Sequence, residues 1–278
     1  MTTKNEQKQG FGPLFFSDLL EKFVGIMGKL LSAKLFNFLK KWILLVGQWA
    51  FYGASGIALL SGIIGAIRLK SANVFFTSLA FAIGFFVVQY VGNKFLYAGD
   101  VLIEKNPTRM SSAAFLDSFA LLAIISGAGI LLYGIYFAIK IPSFEPLLFG
   151  IVGFVLLWFL AFVLINPDEI SVKVVKDTTA GQEAIGIITL FIKSIMKIVP
   201  IIFGVGIIYG AVSMLIHMFG LFKTIPNFFN IFIDMKNVVF AGLLPLVAYL
   251  GFILAFLFID ITRAILSIPE KLDKIAKK

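Results

Sequence analysis

The stretch "AIGFFVVQYV" at residues 82–91 is apolar enough to lie in the middle of a lipid bilayer, and two similar stretches follow it. They are "IVGFVLLWFL" at 151–160 and "YLGFILAFLF" at 249–258, each with a Gly-Phe pair inside an apolar run. Runs of this kind predict membrane-spanning helices. Their recurrence also raises the hypothesis of an internal repeat.

The composition of the whole chain supports the same class. Of its 278 residues, 60% are hydrophobic and only 14% are charged, whereas about 25% of the residues of a soluble domain are charged. A soluble core of this length cannot bury so much apolar surface, but lipid accepts it directly. We therefore predict an all-α integral membrane protein.

Six stretches are long enough to cross the bilayer, since a helix needs about 20 apolar residues for ~30 Å of hydrocarbon. They are residues 42–67, 73–97, 113–139, 146–165, 199–219 and 237–259. The predicted organisation is a polar tail at 1–13, an amphipathic interfacial helix at 14–41, a six-span transmembrane domain at 42–262 and a basic tail at 263–278.

Glycine positions favour three repeated helical hairpins. Gly84, Gly153 and Gly251 would occupy equivalent places in spans two, four and six. The rival interpretation is a generic membrane composition, rich in glycine and phenylalanine.

Small side chains let helices approach closely in lipid, so we expect the odd spans inside and the bulky even spans outside. The predicted helix-packing residues are Ala54, Ala58, Gly62, Ala66, Gly134, Gly206 and Gly210.

The segment 14–41 has apolar side chains at helical spacing and lysines on the opposite side, which is typical of a helix lying in the membrane interface. Lysine near an anionic surface contributes ~1 kcal/mol of binding. We expect lipid headgroup contacts from Lys22, Lys29, Lys40, Lys41, Lys193 and Lys197. The alternative is that these lysines only mark the cytoplasmic boundary.

Chemistry-bearing motifs are scarce in this sequence. The chain has no Cys and one histidine, His217, which lacks a second ligand at metal-binding spacing and is interpreted as structural. Ionisable residues are expected only at the ends of spans, which disfavours an ion-coupled transporter. We predict no catalytic residue, no metal site and no cofactor, and therefore not an enzyme.

Two functions follow from these patterns. The first is a non-catalytic subunit that anchors or organises a larger membrane assembly, and the alternative is a channel or carrier for an uncharged or lipid-like solute. The expected partners are anionic lipids, other membrane subunits or a second copy of the chain, and no nucleic acid. Possible docking residues are Phe228, Phe229 and Phe232, on a short interfacial helix after Pro226; the alternative is that this segment packs over its own helices.

The basic residues predict the topology. Nineteen of the 24 Lys and Arg lie before span one, at or after the end of span two, between spans four and five, or after span six. Because basic residues concentrate on the cytoplasmic side, both termini should be cytoplasmic, in a bacterial-type plasma membrane. Reporter fusions at each terminus test this, and a terminus on the other side would overturn the six-span topology.

Overall fold

A computed structural model describes residues 22, 25–26, 33–141, 145–175, 178–221 and 227–276. Within these residues the chain forms six long helices, each long and apolar enough to cross a membrane. The helices are α1 (Ala33–Leu69), α2 (Ala72–Lys105), α3 (Ala113–Lys140), α4 (Glu145–Ile165), α5 (Ala180–Gly220) and α6 (Asn227–Ala276). The expectation of a multi-span helical membrane protein is confirmed, and each predicted span lies inside one helix.

The helices pair as consecutive hairpins, and one helix occupies the centre. Each of the pairs α1–α2, α3–α4 and α5–α6 is in extensive contact, and the first and third hairpins pack together through α1 with α5 and α2 with α6. The α3–α4 hairpin reaches this bundle mainly through α4. We name the end where α1 begins and α6 ends the terminal face, and the other end the opposite face.

The division into inner odd helices and outer even helices is wrong for α3. In the most apolar window of each helix, 56% of the residues of α5 are buried, but only 22% of those of α3, the same share as in α2. The glycines proposed as equivalent also differ, because Gly84 and Gly251 have open space where a side chain would be and Gly153 meets Ile130. The three hairpins therefore do not occupy equivalent positions in the bundle.

Glycine contacts bring helix backbones close together in several places. A Cβ atom built on Gly47 of α1 would lie 3.0 Å from the Cα atom of Gly204 in α5. One built on Gly134 of α3 would lie 2.8 Å from the Cα atom of Gly150 in α4. Such contacts matter in lipid because packing, and not the hydrophobic effect, drives helices together there.

Asparagine and proline end α2 and α4 in the same way. The side-chain amide of Asn106 donates to the carbonyl of Leu102 (2.8 Å), and that of Asn166 donates to the carbonyl of Phe162 (3.0 Å). A proline follows each asparagine and cannot donate the backbone hydrogen bond that would continue the helix. Both helices therefore end at the terminal face, where α2 is followed by an extended segment and α4 by a short 3-10 helix (Pro167–Ile170).

A small clasp at the terminal face joins the three hairpins. It is a parallel pair of strands, β1 (Thr108–Met110) and β2 (Val172–Val174), which follow α2 and α4. The carboxylate of Glu183 in α5 accepts hydrogen bonds from the backbone N–H groups of Ser111 (2.5 Å) and Ser112 (2.8 Å). These bonds connect the start of α5 to the end of β1, so every hairpin contributes to the clasp.

The N-terminal helix differs from its predicted bounds. Residues 33–41 are the first turns of α1 and continue into the first span without a break. Lys22, Gly25 and Ile26 are also helical, while the rest of 14–32 lies outside the described residues. The prediction that a separate interfacial helix ends at residue 41 is therefore wrong.

The aromatic segment before the last span is not a separate interfacial helix. α6 begins at Asn227 and runs to Ala276 as one helix. Its first turns bury Phe228, Ile231, Met235 and Val238, at the spacing of one helical face. The helix that contains the last span therefore begins before residue 237, its expected start.

Replacing Gly62 with Leu should lower the free energy of unfolding by about 1–3 kcal/mol, as overpacking of a filled core does. The reason is that a side chain at Gly62 would run into Ser78 of α2. Gly84→Leu is the matched control because nothing lies within 4 Å of a Cβ built there. Thermal unfolding in detergent measures both variants, and an equal loss of stability would contradict the packing described here.

Candidate functional site: an apolar cleft and a polar cluster on α5

A cleft of about 330 Å³ separates parts of α4 and α5. It lies along the half of each helix that is nearer the opposite face. A Cβ atom built on Gly206 would meet Ala241 of α6 and no atom of α4 within 4 Å. The cleft is lined by Leu148, Phe149, Val152 and Leu156 of α4 and by Ile202, Val205, Gly206 and Tyr209 of α5.

Towards the terminal face, α4 packs tightly against α1. Phe159 and Phe162 of α4 are buried there against Phe36 of α1. The ring of Phe36 stacks on that of Phe162, with 4.3 Å between centroids, and meets the ring of Phe159 edge-on at 4.9 Å. Such aromatic pairs add to the packing energy of the buried surface. The second hairpin is thus held at one end, and the cleft lies towards the other.

A polar cluster lies between α5 and α6 near the opposite face. The carboxylate of Asp234 accepts a hydrogen bond from Ser213 Oγ (2.9 Å) and contacts His217 Nδ1 at 2.6 Å. The side chain of Asp234 is 8% exposed and that of His217 is 31% exposed. A buried carboxylate is costly without partners, and here both of its oxygens have one.

The cleft and the polar cluster share one face of α5. At 100° per residue, positions 202, 205, 206, 209, 213 and 217 fall within a sector of about 120°. With a rise of 1.5 Å per residue, Ser213 lies about 6 Å and His217 about 12 Å beyond Tyr209 along the helix. Beyond Tyr209 this sector holds the polar side chains of Ser213 and His217, with the exposed apolar Ile216 between them in sequence.

Asp234 is the site residue that sequence reasoning missed. The predicted spans 199–219 and 237–259 leave Asp234 in the connection between them, away from His217. The missed signal is the apolar spacing of Phe228, Ile231 and Met235, which predicts a helix that continues through position 234. His217 is therefore not a lone histidine.

The predicted helix-packing residues lie in several different contacts. Ala54 and Ala58 are fully buried in α1, whereas Ala66 is half-buried. Side chains built on all four of the glycines would meet neighbouring helices: Gly62 against Ser78, Gly134 against Gly150, Gly206 against Ala241 and Gly210 against Val238.

The lysines expected at lipid headgroups lie in different surroundings. Lys193 is fully buried, and its Nζ atom donates to the carbonyl of Ser171 (3.1 Å), so its assignment to the headgroups is wrong. Lys40 is bonded to Asp100 of α2 at 2.8 Å. Of the rest, Lys22 and Lys41 are exposed, Lys197 is half-buried and Lys29 lies outside the described residues.

The three phenylalanines proposed for docking do not share one surface. Phe228 is 5% exposed and packs against the place where Gly65 lacks a side chain. Phe232 is half-buried, with its ring 4.9 Å from that of Phe228. Phe229 is 67% exposed, so it is the member of the three that faces outward.

Within the described ranges, no group of three or more His, Cys, Asp or Glu side chains could hold a metal ion. No protein-family model, curated protein or solved structure matches this chain. The function proposed below therefore rests on the contacts of the chain itself.

Replacing Asp234 with Ala should lower the free energy of unfolding by about 1–3 kcal/mol, the effect of leaving buried polar groups without a partner. Ser213 and His217 would each lose their bond to the carboxylate. Asp260→Ala is the control on the same helix, because Asp260 is 67% exposed and its contact with Arg263 is 3.5 Å long; exposed pairs contribute little. Chemical unfolding in detergent compares the two, and equal stability would argue against the polar cluster.

Proposed function

We propose that this protein is a carrier for a lipid-like solute that binds in the cleft between α4 and α5. The observation that supports the proposal is the apolar lining of this cleft on two helices that are able to span the membrane. Apolar cavities exclude water and accept apolar molecules. In a bilayer, the molecules available to such a cleft are hydrocarbon chains.

The size of the cleft fits one small ligand. Ligand pockets measure about 300–1,000 Å³, and this cleft of about 330 Å³ is at the lower end of that range. Phe149 is 67% exposed and Tyr209 is 45% exposed, so the lining reaches the outer surface of the bundle. A solute can therefore enter sideways from the lipid.

The attachment of the second hairpin suggests how a solute enters and leaves. The α3–α4 hairpin is held at the terminal face by the clasp and by the aromatic contacts of Phe36. A small tilt about that end would widen the cleft without separating α1, α2, α5 and α6. Motions of this kind need only a few residues near the hinge to change conformation.

The second candidate function is the organising subunit of a larger membrane assembly. Its support is Phe229, an exposed aromatic side chain on the first turn of α6, since aromatic residues are enriched in protein interfaces. Native mass spectrometry after gentle extraction separates the two functions. Foreign subunits found reproducibly support the second function, and a protein that binds solute when isolated supports the first.

We further propose the setting in which either function operates. Both termini lie in the cytoplasm of a bacterial-type cell, where the interfacial segment and its lysines meet anionic lipid. Other membrane subunits or a second copy of the chain are the possible protein partners. The proposal includes no enzymatic step and no cofactor, and the three hairpins are treated as a sequence repeat whose copies have diverged in packing.

Filling the cleft should abolish solute binding. Val205→Trp places a large ring in the cleft, so labelling of the purified protein by a photoreactive medium-chain alkane should fall by about tenfold, because the bound chain is displaced. Val212→Trp on the same helix is the matched control, since Val212 is exposed and does not line the cleft. Peptide mapping by mass spectrometry locates the label. The proposed function is wrong if residues 148–156 and 202–209 of the unaltered protein take up no label.

A further inference from the structure

We infer that the cleft and the polar cluster form one binding site for a molecule with a single apolar chain and a hydroxyl group at its end. This inference rests on the proposed function, because it requires the cleft to hold an apolar chain. The apolar lining ends at Tyr209, and Ser213 and His217 continue the same face of α5 beyond it. A molecule lying along this face would meet hydrocarbon contacts first and polar groups last.

The bond to Asp234 determines what His217 offers to a ligand. His217 Nδ1 lies 2.6 Å from a carboxylate oxygen of Asp234, and a carboxylate partner favours the proton on that nitrogen. In the neutral ring with its proton on Nδ1, the other nitrogen, Nε2, has a lone pair and accepts a hydrogen bond. Because the side chain of His217 is 31% exposed, a ligand can reach it.

The charge of the cluster selects among polar end groups. Both carboxylate oxygens of Asp234 are already bonded, to Ser213 and His217, but its negative charge stays next to the site. A carboxylate or phosphate end group would be repelled by this charge, because opposed like charges weaken binding. A hydroxyl group carries no charge and donates to His217 Nε2, so it fits the cluster best.

The described cations near this end do not reverse that choice. Lys236 is exposed on α6, two residues beyond Asp234, and Lys70 is exposed directly after α1. Arg68 of α1 donates to the carbonyl of Leu221. Lys140 at the end of α3 lies over the ring of Tyr136, 4.7 Å from its centroid. None of these residues lines the cleft. An anionic end group is therefore the alternative outcome of the test and not the inference.

The orientation of the ligand is tested on the unaltered protein in phosphatidylcholine vesicles. Two photoreactive medium-chain alcohols are compared, one with the reactive group near the hydroxyl end and one with it near the methyl end. The first should label residues 210–220 of α5, and the second should label residues 148–156 of α4. If both probes label the same peptide, the inference is overturned, whereas a protein unlabelled by either probe contradicts the proposed function itself.

The preference for a hydroxyl group is tested with probes of equal chain length. Labelling by the alcohol should exceed labelling by the matching alkane and fatty acid by up to about tenfold, the ratio that one hydrogen bond supports. His217→Phe should remove this preference, so that the alcohol and the alkane label the variant to the same extent, with thermal unfolding as the control for folding. Equal labelling by alcohol and alkane in the unaltered protein would overturn the inference, and so would a stronger signal from the fatty acid. The comparison of the two alcohols with the reactive group at different ends uses the unaltered protein, so it tests the inference even if His217→Phe does not fold.

Discussion

In hydrocarbon, helices gain nothing from hiding apolar side chains from each other, so this bundle depends on close packing against its central helix. α5 makes that packing possible because glycine occupies several of its contact points. Gly204 lies against Gly47 of α1, and Gly210 lies against Val238 of α6. Dispersion forces act only at short range. Two helices whose backbones approach closely therefore attract each other more strongly than two helices that large side chains keep apart.

The second hairpin is attached by a different set of interactions. Its own helices meet closely at Gly134 and Gly150, but its attachment to the bundle relies on the terminal face, where the clasp and the ring of Phe36 lie. Hydrogen bonds between β1 and β2 fix the ends of α2 and α4 relative to each other. Towards the opposite face, α4 and α5 are separated by the cleft. The hairpin is therefore closed at one end and open at the other, where we propose that a solute binds.

Two charged side chains of α5, Glu183 and Lys193, have hydrogen-bond partners at the terminal face. Glu183 accepts four hydrogen bonds, from the backbone and side chain of Ser111, from Ser112 and from Thr178. Lys193 is buried and donates to the carbonyl of Ser171, which adopts a left-handed backbone conformation (φ 54°). Buried polar groups stabilise a fold only when they are bonded. The bonds of Glu183 and Lys193 join α5 to the segments that follow α2 and α4, so they also determine where those segments lie.

The sequence by itself determined the fold class and the number of helices. Apolar runs of about 20 residues can cross a bilayer only as helices, because every backbone group there must be bonded within the segment. Local signals were sufficient for some helix ends as well, as the Asn–Pro pairs after α2 and α4 show.

Only the tertiary structure decided which helix is central and which polar groups meet. Gly84 and Gly62 look alike in the sequence, yet one faces open space and the other faces Ser78 of the neighbouring helix. Lys193 has the spacing of a surface lysine but is covered by the chain that follows α4. His217 and Asp234 are 17 residues apart and meet because α6 folds back along α5. Such contacts depend on how helices rotate and slide against each other, and a pattern within a single helix does not contain that information.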